Sequence, residues 1–116
     1  MPFHAYDVAI QLIRALKPVL DQIKKHDRDL ARQGRKAATS IPQNIAESNY
    51  RLGRDRLYHF SVAAGSAGEI QAVLDVAEAW GYLSSEELQE ARVLLDREQQ
   101  LLGGFFHPKS NRKRKK

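Results

Sequence analysis

Four polar residues, Ser40, Asn44, Ser66 and Glu69, fall at helical spacing among apolar neighbours, and any buried chemistry in this chain would start from them. Ser40 and Asn44 stand four apart beside Ile41 and Ile45, while Ser66 and Glu69 stand three apart. If the two segments face each other, Asn44 donates to Glu69 and the two hydroxyls complete a network that leaves no buried charge unpaired. Such a cluster sets the register of two packed elements. Its competing use is a ligand-binding or catalytic carboxylate at Glu69.

Other catalytic patterns are missing. The histidines are His4, His26, His59 and His107, and none lies four residues from another or three after a glutamate. The Glu-x-x-His pairs that hold metals in helical bundles are therefore absent. His59 lies one helical turn after Asp55, a spacing that suits a hydrogen-bonded pair on a helix surface. There is no cysteine, which excludes disulfides and thiolate metal sites. Neither a glycine-rich nucleophile turn nor a phosphate loop occurs. The expectation is a protein without enzymatic activity, cofactor, metal or small-molecule substrate.

Positive charge is the second candidate chemistry. Arg14, Lys17, Arg32, Arg35, Lys36, Arg51, Arg54 and Arg56 lie in the first half, and Lys109, Arg112, Lys113, Arg114, Lys115 and Lys116 close the chain. Both groups could meet phosphates of RNA or DNA. The alternative is a set of solvated helix faces plus a solubilising tail. The formal charge of +5 comes from the tail, since residues 1–108 are close to neutral. Within them, residues 1–60 are net basic and 61–108 net acidic, which suits a head-to-tail association of copies.

These residues need helices to place them. Apolar residues recur at steps of three and four, which predicts one all-α domain over 1–108 and a flexible basic tail over 109–116. A first helix spans about 4–26, with Pro18 predicting a kink or a break. The second opens at Asp27 or Asp29 and faces inward with Leu30, Gly34, Ala37, Ala38, Ile41 and Ile45; Pro42 predicts a bend. Gly53 marks the turn to a third helix that Gly81 closes, and Gly65 and Gly68 inside it suggest close approach of another backbone. Ser84 and Glu87 form a capping box for a fourth helix, which Gly103-Gly104 should stop. Short connections between four such helices predict an antiparallel up-down-up-down four-helix bundle. No apolar run is long enough to span a membrane and no secretory signal is evident, so the expected location is cytoplasmic.

The third helix carries two apolar stripes instead of one. Phe60, Ala63, Ala67, Ile70, Leu74 and Ala77 suit a core, and Val62, Val73, Val76 and Trp80 remain for a second partner, expected to be another copy of the chain.

The run Arg35-Lys-Ala-Ala-Thr-Ser-Ile-Pro-Gln-Asn-Ile-Ala-Glu47 resembles the signature of a bacterial four-helix-bundle family. Its members include proteins encoded by intervening sequences in large-subunit ribosomal RNA genes and the accessory variability determinant of diversity-generating retroelements. Phe60-Ser-Val-Ala-Ala-Gly-Ser-Ala-Gly-Glu69 and Trp80-Gly-Tyr-Leu83 match the next two landmarks in order and spacing. The chain departs from the pattern at Ser48, where glycine is usual, and at Pro18. The resemblance implies a homopentamer around a central channel and, for some members, binding to nucleic acid or to a reverse transcriptase. The expected function is an adaptor or nucleic-acid-associated binding module; the alternative is a protein-only scaffold.

Overall fold

The computed structural model describes the backbone of residues 3–106 and the side chains of residues 4–103. Four helices follow one another: α1 (Phe3–Lys24), α2 (Arg28–Ser48), α3 (Gly53–Ala79) and α4 (Ser85–Phe106), with no strand among the described residues. Each packs on its neighbours in a closed cycle, α1 on α2, α2 on α3, α3 on α4 and α4 on α1. Cross-helix pairs run in opposite senses: Ser40 meets Ser66 and Asn44 meets His59 between α2 and α3, and Glu78 meets Arg92 and Gln71 meets Gln99 between α3 and α4. The bundle is antiparallel.

Local chemistry sets the boundaries. The Asp27 carboxylate accepts from the Leu30 amide at 3.0 Å and so satisfies one of the donors that the first turn of α2 leaves open. At α4, the Ser84 hydroxyl accepts from the Glu87 amide at 3.2 Å while the Glu87 carboxylate accepts from the Ser84 amide at 2.8 Å, a reciprocal capping box. Gly81 adopts φ +80°, and the chain folds back so that Tyr82 N–H donates to Ala77 and Gly81 N–H to Glu78, both at 2.9 Å. That left-handed turn is why glycine follows Trp80. Tyr82 then stacks on His26 at 4.6 Å, tying the α3–α4 turn to the α1–α2 turn at one end of the bundle.

Several expectations fail for identifiable reasons. Pro18 does not break α1, because the rest of its apolar stripe is buried and outweighs one lost backbone bond; α2 likewise runs on through Pro42, where a bend and not a break is expected. Gly103 and Gly104 do not stop α4, which continues to Phe106. A helical glycine costs only about 1 kcal/mol against alanine, and a stop needs a left-handed residue that pairs the last carbonyls. Gly53, by contrast, does take φ +59° and opens α3. Gly65 and Gly68 face open space, with nothing within 4 Å of where a Cβ would stand. The close approach occurs at Gly34 instead. There a Cβ would lie 2.7 Å from Leu20 Cδ2 and 3.2 Å from Val73 Cγ1, so α1, α2 and α3 converge on a position that has no room for a side chain.

The core is continuous and aliphatic, with Leu12, Leu16, Ile23, Ile41, Ile45 and Leu74 among its largest fully buried side chains. Among the described residues, one ionisable side chain shares it. Glu98 is 0% exposed, in register with Leu88, Ala91, Leu95 and Leu102 on the inner stripe of α4.

Candidate functional site

The seam between α1 and α2 concentrates the positive charge. Lys17 and Lys24 on α1 and Arg28, Arg32 and Arg35 on α2 border its clefts, which are open to solvent, with Leu20, Ala31, Ala38 and Thr39 at their floor and edge, and Lys36 lies beside Arg32 and Arg35 in an adjoining cleft on α2 alone. Their spacing explains why they converge. Lys17 and Lys24 are seven residues apart, as are Arg28 and Arg35, so each pair shares one helix face, and the buried stripes turn both faces toward the same seam.

Asp21 is the single carboxylate lining those clefts. The Lys17 ammonium donates to it at 2.9 Å. This hydrogen bond and its charge hold the Asp21 carboxyl below the ordinary carboxylate value, and the fields of Lys24 and Arg35 add to the effect. One carboxylate thus lies within the influence of three cations. On the outer side of α2, Arg32 donates to Asp29, which also accepts from Gln33, and these contacts lower the Asp29 carboxyl as well. Exposed pairs of this kind add little stability, and salt screens them. Their consequence is a ridge with more cations than carboxylates.

The other predicted cations scatter. Arg14 lies in a separate cleft between α1 and α4, beside Pro18, Glu90 and Val93. Arg51 is paired with Glu47 at 2.8 Å, Arg54 is exposed at the start of α3, and Arg56 is half-buried with its guanidinium 5.6 Å from the centre of the Phe60 ring. Lys109, Arg112, Lys113, Arg114, Lys115 and Lys116 lie outside the described residues. Lys24 and Arg28 complete the seam although sequence reasoning passed over them. Their seven-residue spacing from Lys17 and Arg35 was the available signal.

The polar cluster forms only in part. Ser66 donates to the Ser40 hydroxyl at 2.8 Å, and the Asn44 amide donates to the same oxygen at 3.1 Å and to the Ser40 carbonyl at 2.9 Å. The Asn44 carbonyl oxygen does not pair through Glu69. It accepts from Nδ1 of His59 at 2.9 Å. Glu69 is exposed, because its position on α3 rotates it to the rim of the α2–α3 cleft near Lys36 and Val76. A carboxylate can stay hydrated there at no desolvation cost. His59 accordingly turns to α2 and not to Asp55. The network of Ser40, Asn44, Ser66 and His59 holds α2 and α3 in register, and it contains no nucleophile paired with a base.

The expected second stripe of α3 divides in the same way. Val73 is buried against α2 near Gly34, so the chain's own interior takes it, while Val62 is half-buried. Val76 and Trp80 remain outside, at 40% and 71% exposure. Among the described residues no group of three or more histidine, aspartate or glutamate side chains could hold a metal ion, and no helix is long and apolar enough to cross a membrane.

Three comparisons with known proteins bear on this arrangement. The family model described as 23S rRNA-intervening sequence protein matches residues 3–104. Among solved structures, a protein of unknown function from the S23 ribosomal protein family of Bacteroides thetaiotaomicron superposes with a TM-score of 0.76 at 18% identity, covering 84% of this chain and 94% of that one. At that identity the likeness establishes the fold. The comparison with curated proteins gives no match.

Proposed function

This chain belongs to the 23S rRNA-intervening sequence protein family, and from that premise we propose that it is a non-enzymatic, cytoplasmic, self-associating bundle that holds nucleic acid along the α1–α2 seam. One observation carries the reading: five cations from two helices, Lys17, Lys24, Arg28, Arg32 and Arg35, border one solvent-open seam that contains a single carboxylate, and Lys36 extends the basic surface along α2. Among the described residues no aromatic side chain lines it, so contact with the sugar-phosphate backbone fits better than base stacking. Repetition of the seam in an oligomer multiplies the number of phosphates engaged.

Filter binding to a stem-loop RNA and to duplex DNA at 50 and 200 mM salt tests this. The chain without residues 109–116 should still bind, with affinity that falls as salt rises. The double reversal Lys24→Glu and Arg35→Glu should weaken that binding at least ~10-fold and flatten its salt dependence, since each lost phosphate contact removes roughly 0.9 from the slope on duplex DNA. Loss of all binding with the tail would contradict the reading, as would indifference to the reversals.

Self-association is proposed through the exposed part of α3. Val76 and Trp80 are neighbours on one face, four residues apart, and leave an indole mostly in water. The family resemblance supports five copies. Light scattering should give the mass of a pentamer for the native chain and a smaller species for Trp80→Glu with unchanged helicity. A native monomer would remove this part. The same exposed residues favour the second reading, a scaffold whose partner is another protein, and that reading stands if the tailless chain binds neither nucleic acid.

A further inference from the structure

Glu98 has no role in the seam or in the α2–α3 network, yet it occupies the least hospitable position for a carboxyl group. It is wholly buried, and neither carboxylate oxygen has a hydrogen-bond partner. Burial pushes its carboxyl up to about 8, with desolvation as the cause. Every buried residue described on α1, α2 and α3 is non-ionisable. The charged groups on the helices that flank it lie outward: His4 and Asp7 on α1 and Glu69 and Asp75 on α3 are exposed, as is Arg97 on α4 itself. Arg97 turns away to donate to His4, and Arg92, one and a half turns earlier, is engaged with Asp75 and Glu78 at 3.0 and 2.8 Å. Among the described residues no cation is placed to receive the Glu98 charge when it forms.

The place of Glu98 in the fold decides what ionisation does. α4 packs on α1 and α3 through thinner seams than the one joining α2 to α3. Its inner stripe consists of Leu88, Ala91, Leu95, Glu98 and Leu102, so a charge at Glu98 enters the middle of the surface that docks the helix. Hydrating that charge requires a water path to the core, and separating α4 opens one while leaving α2 and α3 joined.

We propose that Glu98 makes the docking of α4 proton-dependent: the helix is held in the bundle with this carboxyl protonated and is released when the carboxyl ionises. The sign follows from linkage. The released helix holds Glu98 in water, where it ionises readily, whereas the docked helix retains the proton. Release therefore becomes easier as pH rises toward about 8 and levels off beyond it.

Residue-resolved hydrogen exchange on the full chain, corrected for the intrinsic rate at each pH, reads this directly. Between pH 6.5 and 9, protection of amides 91–102 should fall about 30-fold while amides in α2 and α3 change little. Glu98→Gln keeps the size and polarity of the side chain and cannot ionise, so its α4 protection should not depend on pH. Three results would overturn the proposal: flat protection in the native chain, the same decline in Glu98→Gln, or parallel loss across α2 and α3.

Discussion

Replacing Glu98 with leucine is expected to stabilise the bundle at neutral pH by roughly 3 kcal/mol, raising the melting temperature by about 10 °C. The direction is unusual, because most core substitutions destabilise. An unfolded chain ionises this carboxyl near the ordinary value of 4.5, whereas the folded chain keeps the proton up to about 8. Between those values folding must take up a proton, so stability is greatest below the unfolded value, declines as pH rises through the interval, and is level above it. Leucine cannot ionise, fills similar volume and removes two buried oxygens that have no partner. The gain should thus be small at pH 5, substantial at pH 7 and largest at pH 9. Urea unfolding of both proteins at the three pH values measures it. A variant less stable than the native chain at every pH would mean that the carboxyl has a stabilising partner.

Gly34→Leu should act in the opposite direction, with a loss on the order of 3 kcal/mol despite a gain in helix propensity of about 1 kcal/mol. The position is closed on two sides, by Leu20 from α1 and by Val73 from α3, so a leucine must push both helices away from α2. Gly34→Ala is the informative control. Its methyl would stand 2.7 Å from Leu20 Cδ2, the far end of a half-buried side chain that can rotate, and 3.2 Å from Val73 Cγ1. Clash and propensity should then nearly cancel, leaving alanine within about 1 kcal/mol of the native chain. Thermal unfolding of the three proteins separates the cases. Equal stability of the leucine variant would show that the three helices do not converge here.

Both residues were visible in the sequence and neither was read for what it does. Gly34 sat on the predicted inward face of the second helix, while Gly65 and Gly68 drew attention because they lie inside a helix. Exposure decides which glycine matters, and helical spacing alone cannot say how near the next helix comes. Glu98 continues the spacing of Leu88, Ala91 and Leu95, but its type favours the surface so strongly that helical spacing alone does not mark it as buried.

Amino-acid order alone determined the four helices, their caps at Asp27 and Ser84, the left-handed turn at Gly81 and most of the aliphatic core. Each of these depends on contacts within a few residues or on a period of 3.6, and both are written locally. The tertiary structure decided the partner of Asn44, the exposure of Glu69, the internal capture of Val73 and the gathering of Lys24 and Arg28 with Lys17, Arg32 and Arg35. Those outcomes depend on the rotation of one helix against another. A turn of a few tens of degrees moves a side chain from core to rim, and only the summed packing of all four helices sets that angle.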